Sequence, residues 1–155
     1  MRKIIFLNKL KRVKKLILVK PSLEIKESYI KKSESSLDSA KILLKSEKLE
    51  ESIALTYYSM YHVVTALLFS TGIKCENHSA SIILMREIFE LDNTQIMKAK
   101  AERVDKQYYT DFHITKEDVI EAIKNAEIFN SELLDFIAKL IKKDIEHFRD
   151  KFINL

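Results

Sequence analysis

The sequence predicts an all-α protein, and two observations lead to this fold class. The 155 residues include one glycine and one proline, which is too few turn-forming residues for a series of β-hairpins. Apolar residues recur at helical spacing along most of the chain, as they do in amphipathic helices that pack together. At this length a single domain with a substantial core is expected.

The segment 53–73 is the most apolar part of the chain, and we predict that it is the central helix. Its 21 residues include no Asp, Glu, Lys or Arg, so the helix lies either in a protein core or in a membrane. Three Tyr, three Thr, two Ser and one His within it favour the core, because unpaired polar groups are costly in lipid. The helix should run from about residue 50 to 71 and end at Gly72, which can adopt the left-handed conformation of a helix C-terminus.

Four more helices follow from apolar stripes and capping residues. Ser22 should cap a helix over about 22–45, and shorter helices are predicted at about 79–90 and 94–107. Thr115 and Asp118 are spaced as a capping box, in which each side chain bonds the other residue's backbone N–H. The helix after them is predicted to continue unbroken from 116 to about 152. It would span about 55 Å, against about 33 Å for the central helix.

The first 20 residues form a basic arm, and we treat 21–155 as one helical domain. The arm carries eight Lys or Arg and no acidic residue, which leaves 19 basic and 23 acidic residues in 21–155. Apolar residues share one face over 4–19, so an amphipathic helix is predicted that covers the overhanging end of the last helix, 137–152. The charge either belongs to a solvated face or contacts nucleic acid, an anionic membrane or an acidic partner.

Cysteine, glycine and histidine usage excludes several kinds of site. Cys75 is the only cysteine, so an intrachain disulfide is excluded and a reducing compartment is expected. A single glycine excludes Gly-rich phosphate loops and dinucleotide fingerprints. The sequence also lacks a His-Glu-x-x-His helix, so we expect neither a metal site nor a cofactor. Because no signal-peptide apolar run follows the basic N-terminus, we expect a cytoplasmic protein without a membrane partner.

Two polar clusters are candidates for function. The first lies in the loop after the central helix and contains Lys74, Asn77 and His78, which either cap the next helix or bind a ligand. The second lies at 102–113. It is either a surface ion-pair network or a pocket in which Arg binds phosphate and tyrosines stack on a base. Its candidate residues are Arg103, Asp105, Tyr108, Tyr109 and His113. His62, inside the central helix, is interpreted as a hydrogen-bonded core histidine.

The order of these segments resembles the HEPN domain family over about residues 22–137. The central sequence YYSMYH at 57–62 is similar to that family's Tyr-Tyr-Ala-Met-Phe-His helix, and GIKCENH at 72–78 to the His-bearing loop after it. The segment AERVDKQYY at 101–109 resembles a later Arg- and Asp-containing segment of the small prokaryotic branch, and SAKILL at 39–44 also fits. The resemblance implies an antiparallel up-and-down four-helix bundle with a short extra helix.

The resemblance also implies a function and partners. Many family members are dimeric, metal-independent ribonucleases, and many act beside a minimal nucleotidyltransferase as a toxin–antitoxin pair. Their active centre has an Arg and a His separated by four to six residues. Here Tyr108 and Tyr109 stand five and six residues after Arg103, and His113 stands ten after it. We therefore expect a homodimer that recognises RNA or a nucleotide, with Arg103 and His113 as candidate catalytic residues. The alternative is a non-catalytic dimeric module that binds and controls the nucleotidyltransferase.

Overall fold

The computed structural model describes the backbone of residues 1–108 and 113–155, and the side chains of all of these except 105–108. The described residues form seven helices and two short strands, and the predicted all-α class is confirmed. In chain order the elements are α1 (Arg2–Arg12), β1 (Leu16–Leu18), α2 (Leu23–Lys45), α3 (Leu49–Thr71), β2 (Ile73–Cys75), α4 (His78–Glu87), α5 (Thr94–Tyr108), α6 (Lys116–Ala138) and α7 (Lys142–Ile153).

The central helix is α3, as predicted, and the other elements are arranged around it. Helix α2 packs along its length, and α5 and α6 contact it from other sides. Val64 and Leu68 of α3 are buried together with Phe129 and Leu133 of α6, whereas Tyr61 is only half-buried. By length and composition alone α3 could cross a membrane, but 72% of its apolar window is buried inside the protein, as expected for a core helix.

The predicted helix ends are confirmed where capping residues mark them. Ser22 Oγ accepts the backbone N–H of Ile25 at the start of α2. Gly72 ends α3 with a φ of 74°. Thr115 and Asp118 form the predicted capping box at α6. Each of these caps satisfies backbone groups that a helix end leaves unpaired.

The prediction of one unbroken helix over 116–152 is wrong. Helix α6 ends at Ala138 and α7 begins at Lys142. Between them, Asp144 Oδ2 accepts the backbone N–H of Ile141 at 3.0 Å, so a side chain competes with the helical hydrogen bond and starts a new helix. The bend removes the predicted overhang and places Phe148 against Phe89, with ring centroids 4.9 Å apart.

The prediction of a continuous helix over 4–19 is also wrong in its second half. Helix α1 ends at Arg12, Lys14 adopts a positive φ of 58°, and β1 pairs antiparallel with β2 in a register that joins Leu16 to Cys75. Consecutive aliphatic residues at 16–19 suit a strand better than an amphipathic helix. The arm nevertheless contacts the predicted region 137–152. Lys11 Nζ donates to Phe152 O at 3.0 Å, and Arg149 Nη1 donates to Val19 O at 2.8 Å.

Candidate functional site

A polar cluster lies where α3, α4 and α5 meet, at the end of α4 that begins with His78. It combines three aromatic hydroxyls, one imidazole and two cationic side chains. We call it the Arg103 cluster and define it as Tyr57, Tyr58, Tyr61, His78, Lys100 and Arg103.

Helical spacing and one cap bring these side chains together. Tyr57, Tyr58 and Tyr61 stand at positions i, i+1 and i+4 of α3, so they share one edge of that helix. Asn77 Oδ1 accepts the backbone N–H of Ala80 at 2.9 Å and starts α4, which fixes His78 as its first residue. The three rings thus form a wall against which His78 and a side chain from α5 can pack.

Arg103 of α5 is held against this wall. Its Nη1 donates to Tyr58 Oη at 2.6 Å, and its guanidinium carbon lies 5.2 Å from the ring centroids of both Tyr57 and Tyr58. A cation over an aromatic face is attracted by the ring quadrupole. The Nε atom is buried and has no hydrogen-bond partner among the described residues. The guanidinium fork is therefore oriented by neutral groups and can present donors to a phosphate.

The imidazole of His78 is fixed by two of the tyrosines. Its Nδ1 lies 3.0 Å from Tyr57 Oη, within hydrogen-bonding distance, and its ring stacks on Tyr61. Burial raises the pKa of Tyr57 above its ordinary value, so that hydroxyl keeps its proton. Burial, and then the charges of Arg103 and Lys100, hold the pKa of His78 below its ordinary value. At neutral pH the imidazole is uncharged and can take up a proton.

Lys100 is the second cation of the cluster, and His62 lies at its border. Lys100 Nζ donates to Ser79 Oγ, which places a second positive charge one helical turn from Arg103. His62 of α3 was predicted to be a hydrogen-bonded core histidine. It is half-buried beside Tyr29, Tyr58 and Tyr61, and its buried Nδ1 has no hydrogen-bond partner among the described residues. Burial holds the pKa of His62 below its ordinary value, and the charge of Lys32 adds to this effect.

The sequence-predicted site residues are distributed as follows. Arg103 and His78 belong to the same cluster, whereas Asn77 acts as a helix cap and Lys74 pairs with Glu76 at 3.5 Å on the surface. His113 is exposed shortly before α6. The side chains of Asp105, Tyr108 and Tyr109 lie outside the described residues, so their predicted roles remain predictions. Among the described residues, His, Cys, Asp and Glu form no group of three suited to a metal ion.

Sequence reasoning missed the contributions of Tyr57, Tyr58, Tyr61 and Lys100. The tyrosines lie inside an uncharged helix that was predicted to be buried in the core, so their hydroxyls did not mark a site. A usable signal was nevertheless present, since four aromatic or imidazole rings occur within 57–62 and fall along one edge. Lys100 and Arg103, three residues apart on α5, would have indicated a cationic counterpart.

Three known proteins are similar to this chain over part or most of its length. A 56-residue stretch is 46% identical to a UPF0332 protein of Pyrococcus horikoshii and covers 36% of this chain but only 39% of that protein. A UPF0332 protein of Thermotoga maritima is 29% identical over 77% of this chain and 92% of its own length. A Methanocaldococcus jannaschii protein named "Putative toxin" is 27% identical over 83% of this chain and 98% of its own length.

The family assignment rests on a match to most of the chain. The model of the HEPN domain matches residues 26–137, a range that contains all of α3 and α4 and every member of the Arg103 cluster. The chain therefore belongs to the HEPN domain family.

Proposed function

We propose that this protein is the HEPN-type component of a toxin–antitoxin-like system and that it recognises RNA or a nucleotide at the Arg103 cluster. The observation that carries the proposal is the guanidinium of Arg103, which is held by the Tyr58 hydroxyl and two aromatic rings beside an uncharged His78. The toxin name of the M. jannaschii relative supports the same class.

Phosphate is the ligand group that these side chains suit best. Arg103 offers a planar set of N–H donors that matches two phosphate oxygens at once. Lys100, which donates to Ser79 Oγ, adds a second positive charge about one helical turn away. The described contacts of Arg103 are with neutral tyrosines, so a phosphate would bring the negative charge that compensates both cations.

The cluster also offers a route to metal-independent RNA cleavage. In this proposal His78 takes the part of the histidine that the family motif would place shortly after Arg103. In the tautomer in which Nδ1–H donates to Tyr57 Oη, Nε2 carries the free lone pair of the imidazole. Nε2 would then accept the proton of a ribose hydroxyl and later return it to the leaving oxygen. His113 remains the second candidate for this role, with Tyr108 or Tyr109 stacking on a base and Asp105 orienting Arg103.

The proposal includes an assembly and a partner. Helices α2, α3, α5 and α6 would form the up-and-down bundle, and two copies would pair into a homodimer, the commonest symmetric assembly. A minimal nucleotidyltransferase would be the heterologous partner. Sedimentation at micromolar concentration should give about twice the chain mass of 18.2 kDa, and a mass near 18.2 kDa would contradict the dimer.

The test uses a single-stranded RNA in buffer with EDTA, followed for binding by fluorescence anisotropy and for cleavage on a gel. Arg103→Ala should lose binding, and Arg103→Lys should restore it only in part because the ammonium lacks the fork. His78→Ala and His113→Ala are assayed for cleavage. Arg86→Ala is the matched control, since Arg86 is exposed near the other end of α4 and its removal costs the same unit of charge.

The outcomes separate the alternatives. Cleavage that is lost in Arg103→Ala and in one histidine variant identifies the proton-transfer residue. Binding without cleavage, lost only in Arg103→Ala, indicates recognition alone. Failure of folded wild-type protein to bind or cleave RNA would overturn the RNA proposal and leave the non-catalytic module that controls a nucleotidyltransferase.

A further inference from the structure

We infer that an apolar groove beside the Arg103 cluster binds the base of the nucleotide whose phosphate the cluster holds. This inference rests on the proposed function and extends it, because it names a separate subsite and the chemical group that enters it. The ligand would be a phosphate ester that carries a flat, weakly polar ring.

The groove lies between α1, α4 and α5 and has a volume of about 480 Å³, within the range of small-molecule sites. Helix α5 supplies one wall through residues at positions i, i+4 and i+7, and α4 supplies the other. The apolar lining consists of Ile82, Ile83, Met97, Ala101 and Val104. Among these, Met97 is 51% exposed, so its side chain is accessible to a ligand in the groove.

The groove is continuous with the cluster. Lys100 and Ser79 both line it, and the two are hydrogen-bonded to each other. Ser79 follows His78 directly in α4, and Arg103 lies three residues after Lys100 in α5. Lys100 at the groove and Arg103 in the cluster therefore lie about one helical turn apart along α5, so one nucleotide can contact both.

The charges around the groove favour an anionic ligand. Lys3 and Lys100 line it, and none of its described lining residues is acidic. A purely apolar occupant would leave both ammonium groups without a counter-charge at the rim. A nucleotide satisfies both features, because its base can replace water against the aliphatic wall while its phosphate compensates the cations.

Two lining residues suit a flat heterocycle. Met97 has an unbranched, polarizable side chain that adapts to the face of a ring. Asn93 is buried in the wall, and its Nδ2 is held by a hydrogen bond to Ile82 O at 2.9 Å. A fixed amide in an apolar wall is the kind of group that orients a ligand. We therefore assign the groove to a purine or pyrimidine ring.

The experiment follows the base subsite in the groove and the phosphate subsite at the Arg103 cluster separately, by NMR of the intact protein. The methyl signal of Met97 reports on the groove, and the buried Met60 and Met85 serve as internal references. The ring signals of His78 report on the phosphate. The probes are adenosine 5′-monophosphate, ribose 5-phosphate, adenosine and hexyl phosphate, and affinities are taken from the titrations.

We expect adenosine 5′-monophosphate to shift the NMR signals of both Met97 and His78. Ribose 5-phosphate should shift the signals of His78 alone, and it should bind at least fivefold more weakly than adenosine 5′-monophosphate. Ala101→Phe should fill the groove, so the variant should bind adenosine 5′-monophosphate only as tightly as it binds ribose 5-phosphate. The affinity for ribose 5-phosphate itself should stay unchanged. Ala138→Phe, on another exposed alanine of a helix, is the matched control and should leave both affinities unchanged.

Three results would overturn the inference. The first is adenosine 5′-monophosphate binding that is unchanged in Ala101→Phe but lost in Arg103→Ala. This result would reject the groove as the base subsite and leave the proposed function intact. A Met97 shift by hexyl phosphate as large as that by adenosine 5′-monophosphate would reject recognition of a base. A lack of response to every phosphate probe would reject the inference and the nucleotide form of the proposed function together.

Discussion

The imidazole of His78 lies flat on the ring of Tyr61, with the two centroids 3.7 Å apart and the planes inclined by 12°. Stacking fixes the plane of the imidazole, and the contact with Tyr57 Oη at 3.0 Å fixes its rotation within that plane. A histidine held by two contacts is pre-organised, so its proton exchange does not require the ring to reorient.

The first prediction concerns pH. The pKa of His78 lies below its ordinary value because of burial and the charges of Arg103 and Lys100, and that of His62 is lowered as well. Below the ordinary histidine pKa of about 6.5, the unfolded chain therefore binds protons that the folded protein does not. The free energy of unfolding should fall as the pH drops from 7 through this value toward the folded pKa values. Urea denaturation at a series of pH values measures this.

The control for the pH prediction is His78→Gln, which removes one of the two titrating groups and should make the loss of stability at low pH smaller. Arg103→Ala should raise the pKa of His78 measured by NMR. It should not restore the ordinary value, since burial is the larger cause. A wild-type His78 that titrates above its ordinary pKa would contradict this account of its environment.

The second prediction concerns the Tyr57–His78 hydrogen bond. Tyr57→Phe keeps the buried ring and removes only the hydroxyl, so we expect a loss of about 0.5–1.5 kcal/mol in the free energy of unfolding. Tyr57→Phe, His78→Phe and the double variant form a double-mutant cycle. Losses that simply add in the cycle would show that the two groups do not interact in solution.

The sequence was sufficient to predict the elements whose signals are local. The uncharged segment before Gly72 specified α3, and Ser22 and the Thr115–Asp118 pair marked two helix starts, because a cap acts within one turn. The break at 139–141 and the strand β1 could not be predicted in this way. The first depends on Asp144 rather than on Gly or Pro. The second depends on a pairing with β2, about 57 positions later in the chain.

The Arg103 cluster was predicted only in part for a similar reason. Its two sequence-predicted members, Arg103 and His78, are polar residues near helix ends, where function is commonly sought. Its tyrosines lie in the core helix, and their hydroxyls become functional candidates only once α4 and α5 pack against that edge. Periodicity assigns a residue to a face, but it does not say which partner will cover that face.

The third prediction tests how the arm contributes to the core. Leu7 of α1 is 0% exposed and belongs to the main core cluster, whereas Ile5 on the same helix is 63% exposed. Leu7→Ala should therefore cost about 2–5 kcal/mol in the free energy of unfolding, and Ile5→Ala should stay within about 0.5 kcal/mol of the wild type. Deletion of 1–20 should expose apolar surface and promote aggregation. Equal stability of the two alanine variants would show that α1 is detached in solution.

The last prediction concerns Arg149 of α7 and the end of α3. Arg149 Nη1 donates to Val19 O at 2.8 Å, Thr71 O at 3.0 Å and Gly72 O at 3.1 Å. One side chain thus ties α7 to the C-terminus of α3 and to the residue after β1. Arg149→Ala leaves these carbonyl groups without their charged donor, so we expect a loss of about 1–3 kcal/mol.

Gly72 is the position that makes this contact sterically demanding. Its φ of 74° disfavours any residue with a Cβ, and a Cβ placed there would collide with Arg149 Nη1 and Val19 O. Gly72→Ala should therefore destabilise the protein by more than the ~1 kcal/mol expected from backbone conformation alone. The double variant Gly72→Ala/Arg149→Ala should lose less unfolding free energy than the sum of the two single losses, because removal of the Arg149 side chain relieves one of the collisions. Urea denaturation of the three variants measures this, with Arg86→Ala as the exposed control. Additive losses would mean that the arginine does not approach Gly72 as closely as described.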